Sequence, residues 1–208
     1  MTTYFITGID TDIGKTYATA FLLKHFGGNI ISQKLVQTGN QDISEDIVTH
    51  RTLTNTPLTS FDKDGTTCPY VFTVPASPHL ASRLENTVID PNVITHATQT
   101  LQRHYQTVLL EGAGGVFVPL TDTLLTLDYV ASQSYPVILV TCGRLGSINH
   151  TLLSLHAIRS ANLPLHGVVF NHYFDNANQV VSQDTQHWLK NYLQEHFADT
   201  LWFDMPHL

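Results

Sequence analysis

Residues 7–16 read T-G-I-D-T-D-I-G-K-T and directly follow the apolar run Tyr4-Phe5-Ile6. This pattern is typical of a buried strand that ends in a glycine-bounded loop before a helix. Gly14 lets the loop turn its N–H groups toward an anion, and Lys15 supplies a mobile cation for phosphate oxygens. The Thr16 hydroxyl is a magnesium ligand in such loops. The stretch therefore predicts a site for a triphosphate.

The loop departs from the common phosphate-loop spacing, because five residues rather than four separate Gly8 from Gly14. An alternative interpretation makes Gly8 an ordinary turn residue and Lys15 a solvated helix start. The apolar strand before the loop and the amphipathic helix after it, at residues 15–26, favour the phosphate-binding interpretation.

Other polar residues come at the ends of predicted strands. Lys34 and Thr38 follow the short strand at 30–33, and Glu111 ends the buried strand at 107–110. The carboxyl ends of parallel strands line the ligand crevice, so we expect Lys34 and Thr38 beside the phosphate loop. Glu111 is well placed as a magnesium partner. The alternatives are a surface lysine at position 34 and a loop-capping acid at position 111.

Strands alternate with helices from end to end, and the predicted strands are almost continuously apolar. We predict an α/β fold with a mainly parallel sheet covered by helices on both faces, similar to P-loop NTPases, in one domain spanning residues 1–208. Asp90 and Pro91 start a helix whose buried stripe includes Val93 and Ile94. Trp188 is assigned to the inner face of the last helix, and residues 54–67 to a loop.

The composition excludes several classes of partner. The net charge is -7, with only ten Lys plus Arg residues, which leaves no basic stripe for nucleic acid or anionic lipid. No run resembles a signal peptide and no apolar stretch is long enough to span a bilayer, so we expect a cytoplasmic protein. Cys68 and Cys142 are far apart and form no C-x-x-C motif, which favours reduced thiols in the core.

With these motifs placed, the chain resembles the dethiobiotin synthetases along nearly its whole length. The resemblance rests on T-G-x-D-T-D-x-G-K-T at 7–16, K-x-V-x-T-G at 34–39, P-Y-x-F at 69–72, P-x-S-P-H at 75–79, E-G-A-G-G at 111–115, P-V-I-L-V at 136–140 and L-G-x-I-N-H at 145–150. The first motif, with its unusual spacing, is fairly specific for this family. Several motifs in the same order along the chain as in the family are much more specific.

The resemblance implies an ATP- and Mg²⁺-dependent ring closure in biotin biosynthesis. In the family, one amine of 7,8-diaminononanoate takes up carbon dioxide as a carbamate. The carbamate attacks the γ-phosphorus of ATP, and the second amine closes the cyclic urea with loss of phosphate. The family also implies a homodimer in which each substrate site takes residues from both chains.

The same resemblance implies the site residues. Lys34 and Lys15 would be catalytic, because two anions must meet and their charge must be neutralised. The residues implied to bind ATP are Asp12, Ile13, Gly14, Lys15, Thr16, Tyr17, Glu111, Gly112, Ala113, Gly114, Asn171, Pro206 and Leu208. The residues implied to bind the substrate are Thr11, Thr38 and Pro78, with Ser147, Ile148 and Asn149 of the partner chain. The implied metal ligands are Thr16, Asp46 and Glu111.

The chain departs from the family pattern in places. Leu35 replaces a usual proline, Cys68 a usual asparagine, and His172 a usual aspartate after Asn171. The sequence also stops at Leu208, before an acidic residue that the family often carries near the adenine. We therefore expect weak base selectivity, with specificity constants for ATP, GTP and CTP within about tenfold.

Other proteins with this fold are alternatives. Cobyrinic-acid amidases share the glycine-rich loop after an acid, but they commonly add a glutaminase domain for which 208 residues leave no room. Septum-site and plasmid-partition switches carry an early lysine in the phosphate loop, and residues 9–11 contain none. A third alternative is a substrate-binding paralogue without turnover, against which Lys34 and Glu111 argue.

Overall fold

The computed structural model describes residues 1–206, apart from the side chains of residues 175–177. Its strands are β1 (Thr2–Gly8), β2 (Ile30–Lys34), β3 (Gln37–Thr38), β4 (Val71–Phe72), β5 (Thr107–Glu111), β6 (Val137–Cys142), β7 (Leu165–Asn171) and β8 (Leu201–Met205). Its helices are α1 (Lys15–Phe26), α2 (Glu45–Thr54), α3 (Ser60–Lys63), α4 (Pro78–Leu84), α5 (Pro91–Gln102), α6 (Thr126–Gln133), α7 (Ser147–Ser160) and α8 (Gln179–His196), with a 3-10 helix at His172–Ala177.

Six strands form one sheet in the order β2-β5-β1-β6-β7-β8, and every neighbouring pair is parallel. Strands β3 and β4 form a separate parallel pair. Because the large sheet is parallel, the carboxyl ends of its strands lie at one edge. Lys34 at the end of β2 is the register partner of Glu111 at the end of β5. The sheet alone therefore brings these two predicted site residues together.

The two faces of the sheet are both covered. Phe5 of β1 and Leu110 of β5 pack on one side in a cluster that includes Ile94 of α5. The next residue on β1 and the preceding residue on β5 point the other way and pack against α1, which contributes Leu22. This alternation makes each strand apolar on both sides, as a parallel sheet between helices requires. The predicted fold class is confirmed.

Local signals explain where several helices begin and end. Gly27 ends α1, and its N–H donates to the Leu23 carbonyl at 3.1 Å. The Asp90 side chain caps α5, with Pro91 in the first turn. None of the helices in the described part of the chain has the length and apolarity needed to cross a bilayer.

Three predictions about elements were wrong. Val93 is 45% exposed, because the face of α5 that packs on the sheet is centred on Ile94 and leaves its neighbour outside. Trp188 is 41% exposed and stacks on Tyr192 at the surface of α8. Residues 54–67 contain the short helix α3, which starts with a reciprocal capping box between Thr59 and Asp62.

Candidate functional site

The loop between β1 and α1 leaves no room for a side chain at two of its glycines. A Cβ on Gly8 would lie 2.4 Å from Ile13 Cγ2, and a Cβ on Gly14 would lie 2.5 Å from Asn171 Nδ2. Gly14 also has a φ of 89°, in the left-handed region that favours glycine. No described side chain caps the start of α1, so its first N–H groups are available to an anion.

Lys15 is buried at the start of α1, and its Nζ donates to the Asp10 carbonyl at 3.0 Å. Burial, followed by repulsion from the nearby Lys34 ammonium, lowers the pKa of Lys15 to about 8. A bound phosphate would oppose both effects by placing negative charge beside the ammonium. The geometry therefore agrees with the predicted phosphate-binding role.

Glu111 is fully buried and accepts hydrogen bonds on both carboxylate oxygens. Its Oε1 accepts from Lys34 Nζ at 2.9 Å and from Thr16 Oγ1 at 3.2 Å. Its Oε2 accepts from Thr19 Oγ1 at 2.7 Å and lies 2.9 Å from His50 Nε2. Burial alone would raise the pKa of Glu111, but Lys34 and His50 outweigh it and hold that pKa well below its usual range. Glu111 is therefore ionised.

Lys34 is the cationic centre of the same cluster. Its Nζ forms ion pairs with Glu111 and with Asp46, and donates to the Gly112 carbonyl at 3.1 Å. Burial acts to lower the pKa of Lys34, but the attraction of Glu111 and Asp46 outweighs it and raises that pKa above its usual value. Lys34 thus stays protonated and acts as a fixed positive charge.

The predicted metal ligands offer a hydroxyl and two carboxylates, which are the oxygen donors that Mg²⁺ prefers. Asp46 and Glu111 both pair with the Lys34 nitrogen, so their oxygens face the same point. No group of three or more His, Cys, Asp or Glu side chains that could hold a metal occurs among the described residues. The donor set fits an ion that also takes phosphate and water oxygens, as nucleotide-bound Mg²⁺ does.

Two cavities meet at the phosphate loop and share Asp12, Gly14 and Tyr17. The larger, of about 440 Å³, contains both lysines and both carboxylates of the site. The smaller, of about 310 Å³, is lined mainly by apolar and aromatic groups. A charged cavity joined to an aromatic one through a phosphate loop suits a nucleotide, with its phosphates in the first and its base in the second.

Comparisons with known proteins agree with this geometry. A family model described as an AAA domain matches residues 2–195. The chain is 51% identical over 201 residues to an ATP-dependent dethiobiotin synthetase, BioD 2, of Pasteurella multocida strain Pm70, a match that covers 95% of this chain and 94% of that protein. It is 49% identical over 184 residues to BioD of Chlorobaculum tepidum, which covers 87% of this chain and 77% of that protein.

The chain belongs to the dethiobiotin synthetase family. Dethiobiotin synthetases are ATP-dependent ligases of biotin biosynthesis, and the enzyme class predicted from the motifs is thereby confirmed.

Solved structures with much lower sequence identity also confirm the fold. A ParA family ATPase from Chlorobium tepidum has a TM-score of 0.55 at 11% identity, and the match covers 100% of this chain and 85% of that one. The hydrogenase maturation factor HypB from Archaeoglobus fulgidus also gives 0.55 at 11% identity, covering 99% of this chain and 81% of that one. At such low identity these matches show a P-loop NTPase fold alone.

The structure brings most of the implied dethiobiotin synthetase residues together. The larger cavity is lined by Thr11, Asp12, Gly14, Lys15, Thr16, Tyr17, Lys34, Thr38, Asp46, Glu111, Ala113 and Gly114. The smaller cavity is lined by Asp12, Gly14, Tyr17, Asn171 and Pro206. Their individual roles stay predictions.

Ile13 and Gly112 are absent from the described lining of both cavities. Ile13 is buried in the core, and the Gly112 carbonyl accepts from Lys34 Nζ at 3.1 Å.

The other implied residues lie elsewhere. Pro78 is buried at the start of α4, a helix that packs near β3 and its Thr38. Ser147, Ile148 and Asn149 form the first turn of α7 and are absent from the described lining of both cavities. Leu208 lies outside the described residues.

Asn171 holds the phosphate loop and the wall of the smaller cavity together. Its Nδ2 donates to the Ile13 carbonyl at 2.9 Å, and its Oδ1 accepts from the Tyr173 N–H at 3.0 Å. Its neighbour His172 has Nε2 3.0 Å from Asp204 Oδ1 and is absent from the described lining of the cavity. Base selectivity stays a prediction.

The cysteines behave as the sequence predicts. Cys68 and Cys142 are both free thiols in the core. Burial raises the pKa of the Cys68 thiol to about 12. Cys68 is therefore an unreactive side chain at neutral pH, even though it stands where the family usually has an asparagine.

Sequence reasoning missed two residues that contact Glu111. His50 lies on α2 four positions after Asp46, and Thr19 lies on α1 four positions after Lys15. Residues four apart share a helix face, so each could have been found by extending the predicted site one turn along its helix. Neither belongs to one of the family motifs, which is why motif matching passed over them.

Proposed function

We propose that this chain joins carbon dioxide to 7,8-diaminononanoate and closes the ring to dethiobiotin, using one ATP per ring and Mg²⁺. The observation that carries the proposal is the cluster of Lys15, Lys34, Asp46 and Glu111 in one cavity beside the phosphate loop. The proposal includes a single domain, a homodimer, and residence in the cytoplasm.

The first step forms no covalent bond between the substrate and the protein. One amine of the substrate attacks carbon dioxide, loses a proton and becomes a carbamate anion. Thr38 borders the larger cavity and would contact the diamine there. Positioning the amine is the main contribution expected of the protein in this step.

The second step brings the carbamate oxygen to the γ-phosphorus of ATP. The new P–O bond forms a carbamic-phosphoric anhydride, and the bond to the β-phosphate breaks to release ADP. Two anions approach each other here, so charge neutralisation dominates the barrier. Lys34 is held as a permanent cation by its ion pairs, and phosphate oxygens beside Lys15 would stabilise its ammonium form.

Mg²⁺, when bound, would neutralise phosphate oxygens, with Thr16, Asp46 and Glu111 as the residues that hold it. In the last step the second amine attacks the carbamoyl carbon, and phosphate leaves as the five-membered urea closes.

The partner chain is proposed to hold the substrate carboxylate. Ser147, Ile148 and Asn149 begin α7 after Gly146, whose φ is 93°, and no described side chain caps this helix start. Free N–H groups at a helix start bind carboxylates. In the proposed homodimer, this helix start of one chain would complete the substrate site of the other.

Product analysis tests the proposal directly. Purified protein is incubated with 7,8-diaminononanoate, ATP, Mg²⁺ and bicarbonate, and dethiobiotin is measured by mass spectrometry beside phosphate release. We expect one phosphate for each dethiobiotin. Equal phosphate release with and without the diamine would contradict the proposal and favour a nucleotide switch.

A further inference from the structure

His50 is a fully buried histidine whose ring contacts Glu111 of the site. It lies one turn after Asp46 on α2, and its Nε2 is 2.9 Å from Glu111 Oε2. Since Glu111 is ionised and accepts only, Nε2 carries the hydrogen of this bond. Helix α2 thus contacts the cluster twice, through Asp46 on Lys34 and through His50 on Glu111.

The other ring nitrogen of His50 has no partner among the described residues. Nδ1 is buried and makes no hydrogen bond to any described residue. A buried polar atom without a partner is unfavourable, and an apolar side chain of similar size would avoid it. The bond to Glu111 is the polar interaction that the ring contributes to this part of the molecule.

The hydrogen bonds on Glu111 divide between its two oxygens. His50 and Thr19 hold Oε2, while Oε1 faces Lys34 and Thr16. Rotation of the carboxylate would exchange the oxygens and break these bonds. Donors on Oε2 therefore keep Oε1 directed at the residues that line the cavity.

We propose that His50 is a positioning residue that fixes the Glu111 carboxylate for binding the metal–nucleotide complex. The inference rests on the proposed metal site and adds to it a residue outside the family motifs. Partners of a metal ligand commonly change metal affinity tenfold to a hundredfold when removed. The expected effect is on the affinity for the metal ion, which can be measured separately from turnover of the diamine.

The test compares three substitutions of His50. His50→Leu removes the donor, His50→Gln places an amide N–H near the position of Nε2, and His50→Asn places one near Nδ1 instead. The affinity for Mn²⁺ is measured by electron paramagnetic resonance, with the β,γ-methylene analogue of ATP present and no diamine. We expect at least tenfold weaker Mn²⁺ binding in the leucine and asparagine variants, and binding within threefold of wild type in the glutamine variant.

Ile47→Val is the matched control, because Ile47 is buried on the same helix and its side chain has no polar atom that could donate to Glu111. It should lower the melting temperature slightly and leave Mn²⁺ binding within twofold. Wild-type Mn²⁺ binding in a folded leucine variant would overturn the proposal. If the leucine variant does not fold, equal Mn²⁺ binding in the glutamine and asparagine variants would overturn it instead.

The metal measurement does not depend on dethiobiotin formation. If product analysis fails while the His50 series behaves as expected, the positioning role stands and the proposed reaction does not. If dethiobiotin forms while the His50 series shows no difference, the reaction stands and the positioning role is wrong.

Discussion

Lys34 combines nearly complete burial with two carboxylate partners, and this combination decides what it can do. A buried ammonium without partners would lose its proton, but Asp46 and Glu111 keep Lys34 charged. Such a group cannot act as a general base at neutral pH. Its contribution is positive charge at a fixed place, which matters most when negative charge develops during phosphoryl transfer.

Lys34→Ala should therefore lose most turnover while nucleotide still binds. We expect a loss of transition-state stabilisation of about 3 kcal/mol, seen as a fall in kcat of roughly a hundredfold or more. Nucleotide affinity is measured by calorimetry and kcat by dethiobiotin formation. Lys24→Ala, an exposed change on α1, is the control. Abolished ATP binding together with normal turnover of bound substrate would contradict the assignment.

The sequence was most informative where site residues lie at strand ends. Lys34 and Glu111 each follow an apolar run, and a parallel sheet must bring such positions to one edge. His50 and Thr19 could not be found in this way. They lie within helices, where polar side chains usually face solvent, and only the packing of α1 on β5 and of α2 on α1 and β2 turns them inward.

Helices α2 and α3 are joined by a buried ion pair behind the site. Arg51 of α2 donates through Nε and Nη2 to both oxygens of Asp62 on α3, at 3.0 and 2.9 Å. Its Nη1 donates to Ser32 Oγ of β2 at 2.9 Å. The pair ties α2, and with it Asp46 and His50, to the edge strand of the sheet.

Asp62→Asn should destabilise the fold, because it leaves the Arg51 guanidinium buried without its charge partner. We expect the free energy of unfolding at pH 7 to fall by about 3 kcal/mol, measured by urea denaturation. Burial alone would raise the pKa of Asp62, but the bonds from Arg51 and Thr59 outweigh it and lower that pKa. Its contribution is thus complete above the unfolded pKa and is lost as pH falls below about 3.8.

The difference in the free energy of unfolding between Asp62→Asn and wild type should therefore become smaller in acid. Asp122→Asn is the control, since Asp122 pairs with Arg83 at an exposed position. Equal stability of wild type and Asp62→Asn at pH 7 would show that the pair does not hold these helices.

Element boundaries were predictable where a cap or a breaker marks them, as at Gly27 and at Asp90. Helix α3 was missed because its cap, Thr59, lies among many threonines that resemble a loop. Helix α6 has no counterpart in the sequence prediction. It begins without a side-chain cap from any described residue.

At the scale of the molecule, the surface around α7 has the character of an interface. Phe117, Leu145 and Leu153 are each more than half exposed, and a groove lined by Phe117 and Leu153 runs beside the phosphate loop. In the proposed homodimer, a second copy on this surface would cover these apolar groups.

Subunit mixing tests the shared site. Asn149→Ala and Lys34→Ala chains are each expected to be inactive alone, whereas a mixed dimer holds one site with neither change. We expect part of the wild-type activity to return after mixing, with two differently tagged Lys34→Ala chains as the control. Failure to recover activity after demonstrated subunit exchange would mean that each site is built within one chain.

The ion pairs of Lys34 have a consequence for how the protein withstands metal depletion. In structural zinc domains, ligand charges are unbalanced without the ion, and chelation unfolds the chain. Here the Lys34 ammonium pairs with both Asp46 and Glu111, so we expect folding to require no divalent ion. We expect EDTA to leave the melting temperature of the nucleotide-free protein unchanged in differential scanning calorimetry. A lower melting temperature in EDTA would show that a bound ion, rather than the lysine, holds the two carboxylates together during storage and purification.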